Sequence, residues 1–359
     1  MHPFDPDIIR QKDFKMKQIK TTDAVGHVLC HDITQIIPGE KKGPVFKKGH
    51  IVTEEDIPVL LSVGKENLYV WEKTEGILHE DEAAAILKDI CMENDDSFTF
   101  SEPSEGKITI SAGVDGLLKI NTAGLNEVNA LGEMMIATIH GNFPVKKGEK
   151  LAATRIIPLV IEEEKMTAAR RAAGETPLIK ILPIRKLKAG IVTTGNEVYK
   201  GRIRDAFGPV LKSKLGEYGS EVMDQVILPD DKAGITSAIL DFAAKGAELI
   251  LVSGGMSVDP DDQTPGAIRD TGADIISYGA PVLPGAMMLV SYLDYEGRTS
   301  PVLGLPGCIM YARRTIFDLL LPRILAGERL EAKDISGLGE GGLCLNCEVC
   351  TFPHCGFGK

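Results

Sequence analysis

Two groups of residues have types and spacing that could do chemistry. The first is Ser253-Gly254-Gly255-Met256-Ser257-Val258-Asp259-Pro260-Asp261-Asp262-Gln263-Thr264-Pro265. Its paired glycines let the backbone turn sharply and come close to a ligand, while Ser257 and Asp262 supply a hydroxyl and a carboxylate. The second is Cys344-x2-Cys347-x2-Cys350-x4-Cys355 near the C-terminus. Four thiolates so close in sequence can reach one tetrahedral ion or one cubane, so zinc and an iron–sulfur cluster are both expected occupants.

Two further loops have the same character as the first group. They are Thr194-Gly195-Asn196-Glu197 and Leu303-Gly304-Leu305-Pro306-Gly307, and each follows an apolar run. Backbone N–H groups, hydroxyls and helix N-termini gathered by such loops suit a phosphorylated ligand. Glu197 and Asp262 would add carboxylates at the same mouth, fit to hold a divalent cation such as magnesium or to act as a base.

The elements that must position these loops are legible as alternating strands and helices. Strands are expected at Ala189–Thr193, Val222–Leu228 and Ala247–Leu251, with helices at Ile203–Tyr218 and Lys232–Lys245 between them. Thr264 reads as an N-cap, with Pro265 at the first position of the next helix. Met287–Leu293 and Pro301–Leu305 read as strands around an Asp294–Arg298 turn, and Cys308–Leu321 as a closing helix. The alternation predicts an α/β domain with a doubly wound, mostly parallel sheet over residues 185–328. Ligands of such sheets sit at the carboxyl ends of the strands.

Residues 1–184 read as mixed α+β or β-rich modules behind a loosely held, Lys-rich arm of about 20 residues, and no catalytic constellation is assembled there. Acidic-started helices are expected at 79–92 and 162–173, with carboxylates at the favourable end of the dipole. His27, His31 and His50 are irregularly spaced and read as ordinary surface or strand histidines. Residues 329–359 read as a Gly-rich flexible linker, 337–342, followed by the Cys-rich tail.

Bulk properties exclude several classes. With 359 residues the chain is too long for one ordinary core, and its formal charge of −11 argues against a general nucleic-acid binder. No apolar run has the length of a membrane span and the first residues are no signal peptide, so a cytoplasmic location is expected. Cys30, Cys91 and Cys308 are scattered while the other four cysteines crowd together. That distribution suits a metal better than a disulfide framework.

In order, Thr194-Gly195-Asn196-Glu197, Ser253-Gly254-Gly255-Met256-Ser257 through Asp262, Pro284-Gly285-Ala286-Met287 and Gly304-Leu305-Pro306-Gly307-Cys308 resemble the molybdopterin-binding domain of molybdenum-cofactor biosynthesis proteins. That family includes the molybdopterin adenylyltransferases, the molybdopterin molybdotransferases and gephyrin-like fusions. The resemblance covers residues 187 to about 325. It implies that Thr194, Gly195, Asn196, Ser253, Gly254, Gly255, Ser257, Pro284, Gly285, Pro306 and Gly307 bind molybdopterin or its adenylylated form, and that Glu197 and Asp262 position magnesium or molybdate. It further implies a homo-oligomer, dimer or trimer, serving molybdoenzymes or other cofactor-assembly proteins. The chain departs from the family pattern at Asn196, Asp259, Ala286 and Cys308, and the acidic segment that molybdotransferases carry in their N-terminal half is missing. A molybdotransferase-like protein is the first reading. A non-catalytic molybdopterin carrier or sensor is the alternative from another class, and an unrelated nucleotide-binding α/β enzyme is the third.

Overall fold

The computed structural model describes residues 16–27, 29–37, 41–71, 76–93, 95–257, 259 and 262–359. Most of the expected N-terminal arm therefore lies outside the described residues, as do Val258, Pro260 and Asp261 of the glycine-rich loop. Two compact units make up the chain. One comprises residues 1–114, 120–139 and 146–180, the other 115–119, 140–145 and 181–359.

The first unit is mixed α+β. Strand Met16–Lys20 pairs antiparallel with Asn67–Trp71, and Ile33–Ile37 with Lys41–Phe46. Ala24, Leu29, Ile33, Val52, Leu60 and Leu68 are buried together there. A second sheet, in the order Phe98–Phe100, Lys107–Ala112, Lys150–Ile156 and Met134–Thr138, is antiparallel throughout and carries the Glu80–Met92 helix. That helix begins as its acidic first turn predicts. His79 adds a capping box: its Nδ1 accepts the Asp81 N–H at 3.2 Å, and Glu82 Oε2 accepts the His79 N–H at 3.0 Å.

The second unit holds a six-stranded sheet in the order Glu221–Leu228, Lys188–Thr194, Leu249–Ser253, Arg298–Leu305, Leu289–Tyr295 and Asp274–Tyr278. The first four are parallel and the last two are joined antiparallel, so the mostly parallel α/β sheet is as expected. Burial on both faces explains the continuous apolar runs. Along 249–253, Leu249 and Leu251 enter one core with Leu211, Leu215, Phe317 and Leu320, while Ile250 and Val252 enter the other with Ile235, Ile239 and Phe242. Gly190 faces the Phe242 ring so closely that a Cβ there would lie 2.5 Å from it.

Several boundaries differ from expectation for local reasons. The 203–218 helix starts only at Phe207, because Asp205 Oδ1 accepts the Phe207 N–H at 2.9 Å and caps it. Thr264 is the first helical residue rather than the cap, and its hydroxyl turns back to donate to the Gly254 carbonyl at 2.7 Å. The closing segment is a 3-10 turn, Gly307–Met310, followed by the helix Ile316–Leu325 capped by Thr315 and Asp318.

The largest correction concerns residues 329–359. Ala332–Ser336 is helical with Ile335 buried, the Leu283 N–H donates to the Gly342 carbonyl at 2.8 Å, and the Gly358 N–H donates to that of Gly341 at 2.9 Å. Phe357 is 4% exposed and belongs to the main core of the unit. The glycines do not make a free linker here. At Gly341 φ is +75°, and a Cβ would lie 2.1 Å from the Lys359 carbonyl oxygen, so glycine permits a close backbone crossing.

Candidate functional site

The parallel strands 188–194, 249–253 and 298–305 run alongside one another, so the loops after Thr194, Ser253 and Leu305 leave the same end of the sheet. The Gly279–Met288 loop joins them there, because Leu289 pairs with Gly304 and Tyr278 with Leu289. All the residues expected to bind a ligand therefore sit at or beside the carboxyl end of the parallel strands.

Contacts at the centre are tight. Gly254 has φ of +94°, and a Cβ on it would lie 2.2 Å from the Thr194 carbonyl oxygen and 2.7 Å from its Oγ1. A Cβ on Gly255 would stand 3.5 Å from the same hydroxyl. The Thr194 hydroxyl is buried and has no hydrogen-bond partner among the described residues, which is costly unless something at the turn accepts from it. Gly195, at φ +143°, opens the one-turn helix Asn196–Tyr199, and the Asn196 N–H donates to Asp230 Oδ2 at 2.9 Å.

Other expected site residues have different tasks. The hydroxyl of Ser253 is fully buried and faces the neighbouring strand, 3.5 Å from the Val192 carbonyl oxygen and 3.4 Å from Thr193 Oγ1. Asp262 closes its own loop, with Oδ2 accepting the Asp259 N–H at 3.0 Å while its N–H donates to the Asp259 carbonyl at 2.9 Å. Glu197 is exposed and Ser257 is exposed. Gly285 is buried against Ile316, to whose N–H the Pro284 carbonyl accepts at 3.2 Å, and Pro306 is buried with Gly307 exposed beside it. The four tail cysteines line a single cavity whose wall includes Pro284.

Two features went unread in the sequence. Tyr278 donates from its hydroxyl to the Met256 carbonyl at 2.9 Å and so holds the glycine-rich loop; burial, then the charge of Asp262, pushes its pKa up. Its only signal was an aromatic residue ending an apolar run. In the other unit, His79, Glu80 and Asp81 bring three ligand atoms within 4.8 Å of one another. Lys48 Nζ stands 2.6 Å from His79 Nδ1 and 3.2 Å from Asp81 Oδ2, so an ammonium already lies against that cluster. His79 Nε2–H donates to the Cys30 carbonyl, and burial holds the ring neutral by lowering its pKa.

Comparison with known proteins bears on the α/β part. Residues 190–326 match the family described as "Probable molybdopterin binding domain". These residues are a molybdopterin-binding domain of the molybdenum-cofactor biosynthesis type. This domain accounts for all four loops at the strand ends. Residues 18–72 match a domain of unknown function. The chain is 27% identical over 232 residues to a molybdopterin molybdenumtransferase of Synechococcus elongatus, covering 60% of this chain and 55% of that protein. It is 39% identical over 90 residues to a CinA-like protein of a Mycobacterium species, covering 25% and 21%. The chain thus spans about half the length of the first relative and less of the second. Among solved structures, the tungsten cofactor synthesizing protein MoaB from Pyrococcus furiosus aligns with 20% identity over 40% of this chain and 98% of that one, at a TM-score of 0.34. No described helix is long and apolar enough to cross a membrane.

Proposed function

We propose that the chain binds molybdopterin, or its adenylylated form, at the loops after Thr194, Ser253, Tyr278 and Leu305, and acts in the manner of a molybdopterin molybdotransferase. The observation that carries this reading is the buried Thr194 hydroxyl, unpartnered among the described residues, against the Gly254–Gly255 turn. Such a hydroxyl has somewhere to donate once an anionic ligand oxygen enters, and two glycines keep the approach clear of side chains. Exposed backbone at Gly307 adds a donor of the kind that holds phosphate.

The finer parts of the proposal rest on the family resemblance. Glu197, exposed at the start of its helix, is the stronger ligand for magnesium; Asp262 contributes through Oδ1, since Oδ2 already closes the loop. Molybdate is the co-substrate of the insertion reaction, and a dimer or trimer is the working assembly.

Titrating the protein with molybdopterin under anaerobic conditions, then adding magnesium and molybdate and assaying active cofactor, tests the reading. Thr194→Val keeps the shape and removes the hydroxyl, so binding should weaken about tenfold, the worth of one hydrogen bond, while stability holds or rises. Unchanged affinity in Thr194→Val, or no pterin binding by the native chain, overturns the assignment.

A further inference from the structure

Cys344, Cys347, Cys350 and Cys355 line one cavity of about 210 Å³ together with Arg313 and Arg314. We propose that this cavity is the seat of a [4Fe–4S] cluster, ligated by the four thiolates and standing beside the Pro284–Gly285 loop. The proposal is independent of pterin binding.

Room and spacing favour a polynuclear group over a single ion. Zinc bonds sulfur at about 2.3 Å, which in a tetrahedron brings the sulfurs to about 3.8 Å from one another. Among the described residues, only His79, Glu80 and Asp81 place three possible ligand atoms within 4.8 Å of one another, so no three of the tail sulfurs draw that close. With their neighbours, the four cysteines line a space far above the ~10–15 Å³ that one water-sized sphere requires. Such a space has room for four irons and four sulfides.

Charge and anchoring agree with that occupant. A cubane with four thiolate ligands is an anion, and two basic residues, Arg313 and Arg314, line the cavity, the Arg314 guanidinium also pairing with Asp318 and Glu217. Arg313 Nη1 donates to the carbonyls of Glu348 at 2.7 Å and Cys347 at 3.4 Å, pinning the ligand loop. Arg314 lies 5.0 Å over the Phe352 ring, which meets Phe143 edge-on at 5.8 Å. The Cys344 N–H donates to the Leu283 carbonyl at 2.8 Å. The ligand loop is thus built into the fold, as a cluster site with fixed geometry needs. All four cysteines are free thiols, and Cys347 and Cys350 are exposed, so the cluster would be open to oxygen.

Loading is a ligand exchange. Each cysteine Sγ forms one Fe–S bond, one small thiolate leaves the same iron carrying the cysteine's proton, and no oxidation state changes. The test is anaerobic incubation of the full chain with a synthetic [4Fe–4S] cluster capped by small thiols, and in parallel with zinc alone. The expected product carries four irons and four sulfides per chain, has a broad visible absorbance that bleaches on reduction with dithionite, and loses it in air. Cys347→Ser with Cys350→Ser removes two exposed thiols with no core contact, and should leave native circular dichroism but at least a tenfold loss of bound iron. Cys308→Ser should bind iron as the native chain does. Stoichiometric zinc that the cluster cannot displace, no iron uptake by the native chain, or full uptake by the double variant overturns the proposal.

Discussion

Lys214 Nζ lies 2.6 Å from Asp318 Oδ1, joining positions 104 residues apart. The same oxygen takes the Arg314 guanidinium at 2.8 Å, and Oδ2 accepts the Thr315 N–H at 2.8 Å. Both partners of the lysine pair are almost fully buried, at 9% and 4% side-chain exposure. Removing the carboxylate would strand an ammonium inside the domain and uncap the 316–325 helix. Asp318→Ala should therefore cost about 3–5 kcal/mol, the usual penalty for an uncompensated buried charge. Urea unfolding should show a lower midpoint with an unchanged slope.

The α/β sheet was legible because burial on both faces leaves continuous apolar runs. Leu249–Val252 and Val302–Leu305 are apolar at nearly every position, and the Gly-rich turns follow where ligand loops belong. The roles of individual loop residues were less visible. Ser253 and Asp262 have the right chemistry for a ligand, yet one faces the sheet and the other closes its own turn, and only the backbone path decides that. The tail was misread because glycine content predicts freedom, whereas burial of Ile335 and Phe357 depends on partners such as Leu319 and Phe143 that lie far away in sequence.

Glu80 in the other unit gives a pH dependence of definite sign. It is 8% exposed, and burial, then the neighbouring Asp81 charge, pushes its pKa up to about 7 against the pull of Lys48. The folded state thus holds the proton more tightly than the unfolded chain, whose carboxyl titrates near the ordinary value of about 4.3. Its contribution is fully present below that value and is lost as pH rises through about 7, by at most about 4 kcal/mol. Glu80→Gln should flatten the stability profile across this window. A Gln variant whose profile stays parallel to that of the native chain would rule Glu80 out as the source.

Two glycines separate backbone strain from steric collision. Gly272 has φ of +83° with nothing within 4 Å of a Cβ, so Gly272→Ala should cost only about 1 kcal/mol, for the left-handed backbone. Gly254 has φ of +94° and would drive its Cβ to 2.2 Å from the Thr194 carbonyl oxygen. Gly254→Ala should cost at least twice as much and should abolish pterin binding, because the turn that faces Thr194 must move. Equal costs in thermal unfolding would mean that the collision is relieved by an easy shift of the loop.

Truncation after Leu330 should damage the α/β domain rather than release an independent tail. It removes Ile335 and Phe357 from the core, at 2% and 4% exposure, and takes Asp334 from the Arg323 guanidinium that it meets at 2.7 Å. Each large apolar side chain contributes about 1.5–3 kcal/mol by burial, so the two together contribute about 3–6 kcal/mol. That is a large share of the 5–15 kcal/mol available to an ordinary domain. Phe357→Ala alone should cost about 3–5 kcal/mol, since the void would open in the core that Phe357 shares with Leu319 and Phe143. Thermal unfolding of the truncated chain and the point variant checks both values. A truncated chain that melts within a degree or two of the full one would show that the domain closes without residues 331–359, and the packing of Phe357 would then carry no stability.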